Sequence, residues 1–281
     1  VLVLVHAESI IQGAFKPTAP HDLRLLEATA IGLAEHNIDH RRQLVLMLDA
    51  VRFFYLVGRP VIGLNIAERA QLFADELADP NLLSSALSHV GICAADTGDL
   101  PKAMEAYALA LTLSVSENNE CQECKIWQNL GSALNYSGLF NEAILCFEKA
   151  IKIAENNNQL SNIIPIAYSA IALASLNLSN ISHGLNAIKL AIGLANEPAD
   201  IHSLQNRVLV ENYYTRLLIE NDEYAEAAEH AAFARRYASL SKSPRSDITA
   251  SVAEGLADVF FRYARRWHYA AHHNIRARQI V

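Results

Sequence analysis

Small residues recur in register about every forty positions, and this constrains the fold more than any other feature of the chain. One unit reads Trp127-x-x-Leu130-Gly131, then Gly138-x-Phe140, then Ala143-x-x-x-Phe147-x-x-Ala150. The same slots recur upstream as Val90-Gly91, Gly98-x-Leu100 and Ala103-x-x-x-Tyr107-x-x-Ala110, and before that as Gly58-x-Pro60 and Gly63-x-x-x-Ala67-x-x-Ala70. Downstream lie Ile171-Ala172, Ile181 and Gly184-x-x-x-Ile188-x-x-Ala191, then Tyr224 and Ala227-x-x-x-Ala231-x-x-Ala234. Chance does not hold such a register over five units.

Each unit has a direct physical reading. Its first half places apolar residues at helical spacing (Ile126, Leu130, Leu134). A turn follows, often with a glycine, which accepts positive φ at no steric cost. The second half is a helix with Gly or Ala where two helices must approach closely, and a large residue one turn away (Tyr107, Phe147) to fill the space towards the next unit. Composition agrees: 52% of the 281 residues are apolar, and 11 Gly with 8 Pro are too few for a sandwich of many short strands. One helix pair cannot bury both of its faces, so neighbouring pairs must stack.

Trp127, Leu130, Gly131, Gly138, Phe140, Ala143, Phe147 and Ala150 together resemble the tetratricopeptide repeat (TPR). The resemblance covers about residues 40 to 240 and is most specific over 84–118 and 124–158. Two features depart from the family: a step of 40 to 43 residues instead of the usual 34, and no proline closing each unit. The resemblance implies an all-α, right-handed superhelical α-solenoid of stacked antiparallel helix pairs. About six pairs are expected over 1–246, with a capping or linker helix over 247–281. About 14 helices and no strand are expected. Val1 to Gly13 and His21 to Glu35 would form the earliest pair. Ser239 to Ser246 reads as a loop, and Arg265 to Ile280 either pairs with the helix before it or prolongs it.

In such a solenoid the concave wall is built from the first helix of each pair, and family ligands contact recurring positions on it. The matching positions here are Arg52 and Tyr55; Ser88 and His89; Lys125, Gln128, Asn129, Ser132, Asn135 and Tyr136; Ser169 and Asn177; and Asn212, Tyr213 and Arg216. This wall is polar but mostly uncharged. Asn and Gln suit a peptide backbone, and Tyr adds rigid contact area. The expected partner is therefore a peptide or protein. The basic clamp used by chaperone-binding members is not matched, because the adjacent units lack its Lys and Arg. Long repeats of this type resemble the sensor and scaffold modules of bacterial regulators, some of which precede a diguanylate cyclase or a DNA-binding output domain. The alternative is a structural scaffold without a groove ligand.

Other features point to few further chemistries. The net charge is -7, which disfavours nucleic acid in the groove. Five arginines (Arg262, Arg265, Arg266, Arg276, Arg278) and no acid lie between Arg262 and Val281. Aromatics cluster beside them, and Phe260, Phe261, Tyr263 and Trp267 are the expected C-terminal interface, with a homodimer as one partner it could serve. Cys121-x-x-Cys124 lacks a second ligand pair for zinc, and His268, His272 and His273 lack the neighbouring Glu of a zincin. No metal, cofactor or catalytic residue is assigned, and a non-enzymatic chain is expected. The apolar stretch Ile163 to Leu178 contains Pro165, Tyr168, Ser169, Ser175 and Asn177 and reads as a buried helix. The start, VLVLVHAESI, lacks a basic segment and a cleavage site. Four cysteines form no disulfide framework, and a cytoplasmic location is expected.

Overall fold

The computed structural model describes residues 40–56, 58–194, 201–241 and 244–278. The helices expected at Val1 to Gly13 and His21 to Glu35 lie outside them. Within them the chain forms eleven α-helices and no strand. The helices are α1 (His40–Leu56), α2 (Pro60–Glu76), α3 (Pro80–Asp96), α4 (Leu100–Ser116), α5 (Glu120–Tyr136) and α6 (Phe140–Glu155). They continue as α7 (Ile163–Asn177), α8 (Ile181–Leu194), α9 (Ile201–Glu220), α10 (Tyr224–Ser241) and α11 (Pro244–Arg278).

The forty-residue step is now explained. Each of α1 to α5 has 17 residues, and the turns between them have three. Between α6 and α7 the connection lengthens to residues 156–162 and includes a 3-10 turn at Asn158–Leu160, which produces the longer step there.

One local device makes the short turns. At the end of α3, the Gly98 N–H donates to Ala95 O (3.1 Å) and the Asp99 N–H to Ala94 O (2.9 Å), with Gly98 at φ 87°. This pair of bonds satisfies two orphan carbonyls and reverses the chain. It recurs at Gly58, Asn118, Gly138, Ser179 and Asp222, all with positive φ. The next residue is then placed to start the following helix. Asp79, Asp99 and Asn119 each accept backbone N–H bonds from the first turn of α3, α4 and α5. Pro60 and Pro80 open α2 and α3, where a missing N–H costs nothing.

Glycine and alanine set the packing within and between pairs. A Cβ on Gly91 would lie 2.6 Å from the Tyr107 ring, and one on Gly131 would lie 2.7 Å from Phe147. The large second-helix residues thus seat on a glycine of their own pair, not on the following unit as their position in the repeat suggests. Contact with the next unit runs through the small residues instead. A Cβ on Gly63 of α2 would meet Cys93 Sγ of α3 at 3.0 Å, and one on Gly184 of α8 would meet Leu217 of α9 at 2.6 Å.

The C-terminal end differs from the sequence reading in one detail. The stretch read as a loop over 239–246 is mostly helix, because α10 runs to Ser241 and Pro244 already opens α11. Helix α11 then continues unbroken to Arg278 and packs on both α9 and α10, as the first helix of a sixth pair would.

Candidate functional site: the inner wall

First helices touch their counterparts in the next pair: α1 with α3, α3 with α5, α5 with α7, and α7 with α9. Second helices make no comparable contact. Like helices lie closer on the inside of a curve, so the first helices form the concave wall.

The structure divides the expected wall residues into three groups. Arg52, Lys125, Tyr136 and Asn177 are exposed, while Tyr55, His89, Gln128, Asn129, Ser132, Tyr213 and Arg216 are half-buried. Ser88, Asn135, Ser169 and Asn212 are buried. Packing explains part of the buried and half-buried groups. Ser169 Oγ donates to Ile166 O (2.7 Å), and Ser88 Oγ accepts a long bond from Asn129 Nδ2 (3.5 Å) that ties α3 to α5. Ser132 Oγ likewise returns to Gln128 O (3.1 Å).

Asn135 and Asn212 are different. Each is only 8% exposed, and the side-chain carbonyl oxygen of each is buried without a hydrogen-bond partner. Such an acceptor is costly in a folded protein, because its water has been removed and nothing replaces it. Asn135 lies in the last turn of α5, next to Tyr136, which is 67% exposed.

The wall also carries a cationic stretch. His89 lies within electrostatic reach of both Arg52 and Lys125, so three successive first helices converge there. Burial is the main cause of the lowered His89 pKa. The hydrogen bond to the Ser85 carbonyl (2.8 Å) opposes it, and the two neighbouring cations reinforce it. Burial also raises the pKa of the nearby Asp49 carboxyl, against the pull of Arg52.

Sequence reasoning missed a buried charge cluster between α9 and α10. Glu211, 1% exposed, lies 2.9 Å from Arg207 Nε and 2.6 Å from His230 Nδ1. The Tyr214 ring covers His230 at 4.1 Å, and its hydroxyl donates to Glu226 (3.1 Å). Burial, with help from Glu226, pushes the Tyr214 phenol up to about 12. The only sequence signal was the Arg-x-x-x-Glu spacing of Arg207 and Glu211, which is common on any helix.

The cysteines serve packing. Cys124 Sγ donates to Ala150 O (3.2 Å), and the equivalent Ser84 Oγ, forty positions earlier, donates to Ala110 O (2.8 Å). Burial pushes the Cys124 thiol up to about 11 and the Cys93 thiol up to about 12. On the outer face, a cavity of about 530 Å³ opens between α6, α7 and α8, beside the lengthened connection. At the C-terminal end, Phe260 stacks on Tyr224 (6.1 Å) and so faces inward, Phe261 is half-buried, and Tyr263 is exposed. The Trp267 side chain and His268, His272 and His273 lie outside the described side chains.

Residues 124–157 match the tetratricopeptide repeat family model. With the same helix-pair geometry on either side, the described residues form a solenoid of TPR-like helix pairs. Solved structures agree. The peptide-bound crystal structure of NprR with its cognate peptide NprX is 12% identical with a TM-score of 0.66, over 97% of this chain and 76% of that one. A Rap protein complexed with competence and sporulation factor is 13% identical with a TM-score of 0.59, over 98% and 95%. Aspartyl phosphate phosphatase F from Bacillus subtilis is 17% identical with a TM-score of 0.55, over 84% and 63%. At these identities the likeness establishes the fold. No curated protein matches the sequence. Among the described residues, no helix is long and apolar enough to cross a membrane.

Proposed function

We propose that this chain is a sensor module that binds an extended peptide, or an extended segment of a partner protein, along its inner wall. The observation that carries the reading is the pair of buried, unpartnered carbonyl oxygens on Asn135 and Asn212. A backbone N–H is the donor that an extended segment offers at regular intervals, and two acceptors on different pairs suit it once each amide turns from its buried position towards the wall. Tyr136 adds an exposed ring beside the first of them. Similar solenoids have been solved with a cognate peptide and with competence and sporulation factor, which supports a peptide ligand here. Binding would alter the superhelical pitch slightly. The readout would pass through α11 to a dimer partner or to an output domain, of which a diguanylate cyclase is one kind.

The test uses the whole chain as bait for a displayed library of random linear peptides. Selected peptides should lose at least about tenfold in affinity against the triple variant Asn129→Ala, Asn135→Ala, Tyr136→Ala. Peptides that bind the triple variant as well as the parent would show that the wall is not the site.

A further inference from the structure

Two of the five complete pairs show one packing rule, and the other three repeat its sequence pattern. A residue in the middle of the first helix faces the residue sixteen positions later on the second helix, and the two trade size. Gly91 faces Tyr107 and Gly131 faces Phe147. The equivalent positions are Val51 with Ala67, Ala172 with Ile188, and Thr215 with Ala231, all of them buried. In α11 the equivalent residue is Gly255, forty positions after Thr215.

Gly255 cannot be served from its own chain in the usual way. The residue sixteen positions on, Ala271, lies on the same helix, because α11 runs unbroken for 35 residues where the other helices end after 14 to 20. Among the described residues, nothing lies within 4 Å of where a Gly255 Cβ would stand. Ile248, Val252, Val259 and Tyr263 follow the same side of α11, and all are exposed. Ala250, Ala253 and Ala257 occupy the other side and are buried in a cluster with Ala231, Ala234 and Ala238 of α10. Helix α11 therefore presents an apolar stripe with a glycine seat, shaped like those that receive Tyr107 and Phe147.

We infer that the seat is filled by α11 of a second copy of this chain, running antiparallel about a two-fold axis at Val259, with Tyr263 of each copy on Gly255 of the other. Two observations select this occupant. Gly255 and Tyr263 stand four positions either side of Val259 on one stripe, so a single antiparallel register satisfies both seats, as an isologous interface requires. Length agrees, because Phe261 and Ala264 already lie beside the α9–α10 turn and the start of α10 (residues 222–226), so the rest of α11 runs past its own pair. In the antiparallel arrangement that projecting half covers the exposed stripe of the other copy. Each α11 thus supplies the second helix that the other lacks.

Sedimentation of the whole chain across micromolar concentrations should show a dimer. Gly255→Leu fills the seat while raising helix propensity, so it should weaken the dimer at least about tenfold without loss of helicity by circular dichroism. Tyr263→Ala should do the same. In a Cys121→Ser background, Val259→Cys should form an intermolecular disulfide under mild oxidation, because it meets its own copy on the axis, whereas Val252→Cys should not. A monomer at every concentration overturns the inference, and would be the result if the covering helix belonged to another protein. A dimer indifferent to Gly255→Leu, or one that cross-links through Val252→Cys and not through Val259→Cys, overturns it equally.

Discussion

At the scale of single residues, the size exchange across each pair gives the sharpest expectation. Gly131→Ala places a Cβ into the Phe147 ring and should cost about 1–3 kcal/mol, since a well-packed core resists added methylenes. Adding Phe147→Ile should recover most of that loss, because it recreates the Ala172 and Ile188 combination of the fourth pair. Urea midpoints of the two single variants and the double variant would measure this; additive losses would refute the exchange. The thiols give a second expectation, in the pH dependence of stability. The folded pKa values of Cys124 (about 11) and Cys93 (about 12) lie above the unfolded thiol range. Their contribution is therefore complete below about pH 8.5 and is lost as pH rises towards the folded values. Stability should fall above that pH, and Cys124→Ala should flatten part of the fall. Asn135 adds a third. Its unpartnered oxygen costs the ligand-free protein stability, so Asn135→Ala should leave the ligand-free melting temperature unchanged or raise it while weakening the selected peptides. A melting temperature lowered by several degrees would mean that Asn135 holds the fold and not a ligand.

At the scale of elements, the turns show what the sequence disclosed and what it hid. Gly58, Gly98 and Gly138 stand where a positive φ is needed, and their spacing alone located three reversals. Ala78, Asn118, Ser179 and Asp222 adopt the same backbone region without advertising it. Asn and Asp tolerate that region through local hydrogen bonds, so their presence is a weak signal. Ala78 has no such compensation. Ala78→Gly should raise stability by about 0.5 kcal/mol, the strain relieved exceeding the extra freedom given to the unfolded chain. A lowered urea midpoint would show the turn to be unstrained. The helix pairs and their stacking were legible because burial repeats with the helical period. The split among the wall residues was not. Ser88 and Ser169 occupy ligand-type positions in the repeat, yet the closeness of the neighbouring first helices decides that they are covered. Such closeness depends on both helices and is written in neither alone.

At the scale of the whole molecule, each pair touches only its neighbours, so damage should remain local. The Glu211 cluster offers the test. Removing the carboxylate by Glu211→Ala leaves Arg207 half-buried without its 2.9 Å partner and strips His230 of its 2.6 Å contact. The loss should be about 3–5 kcal/mol, because an uncompensated charge away from water is worse than no charge at all. In a globular core such a loss would loosen the entire domain. Here amide hydrogen exchange should accelerate in α9, α10 and α11, which share the affected interfaces, while α1 to α4 keep their parental protection. Uniform acceleration from α1 to α11 would mean that the stack unfolds as one unit. A local change in curvature at one end could not then stay local, and a wall that signals by a small change in pitch would need a different mechanism.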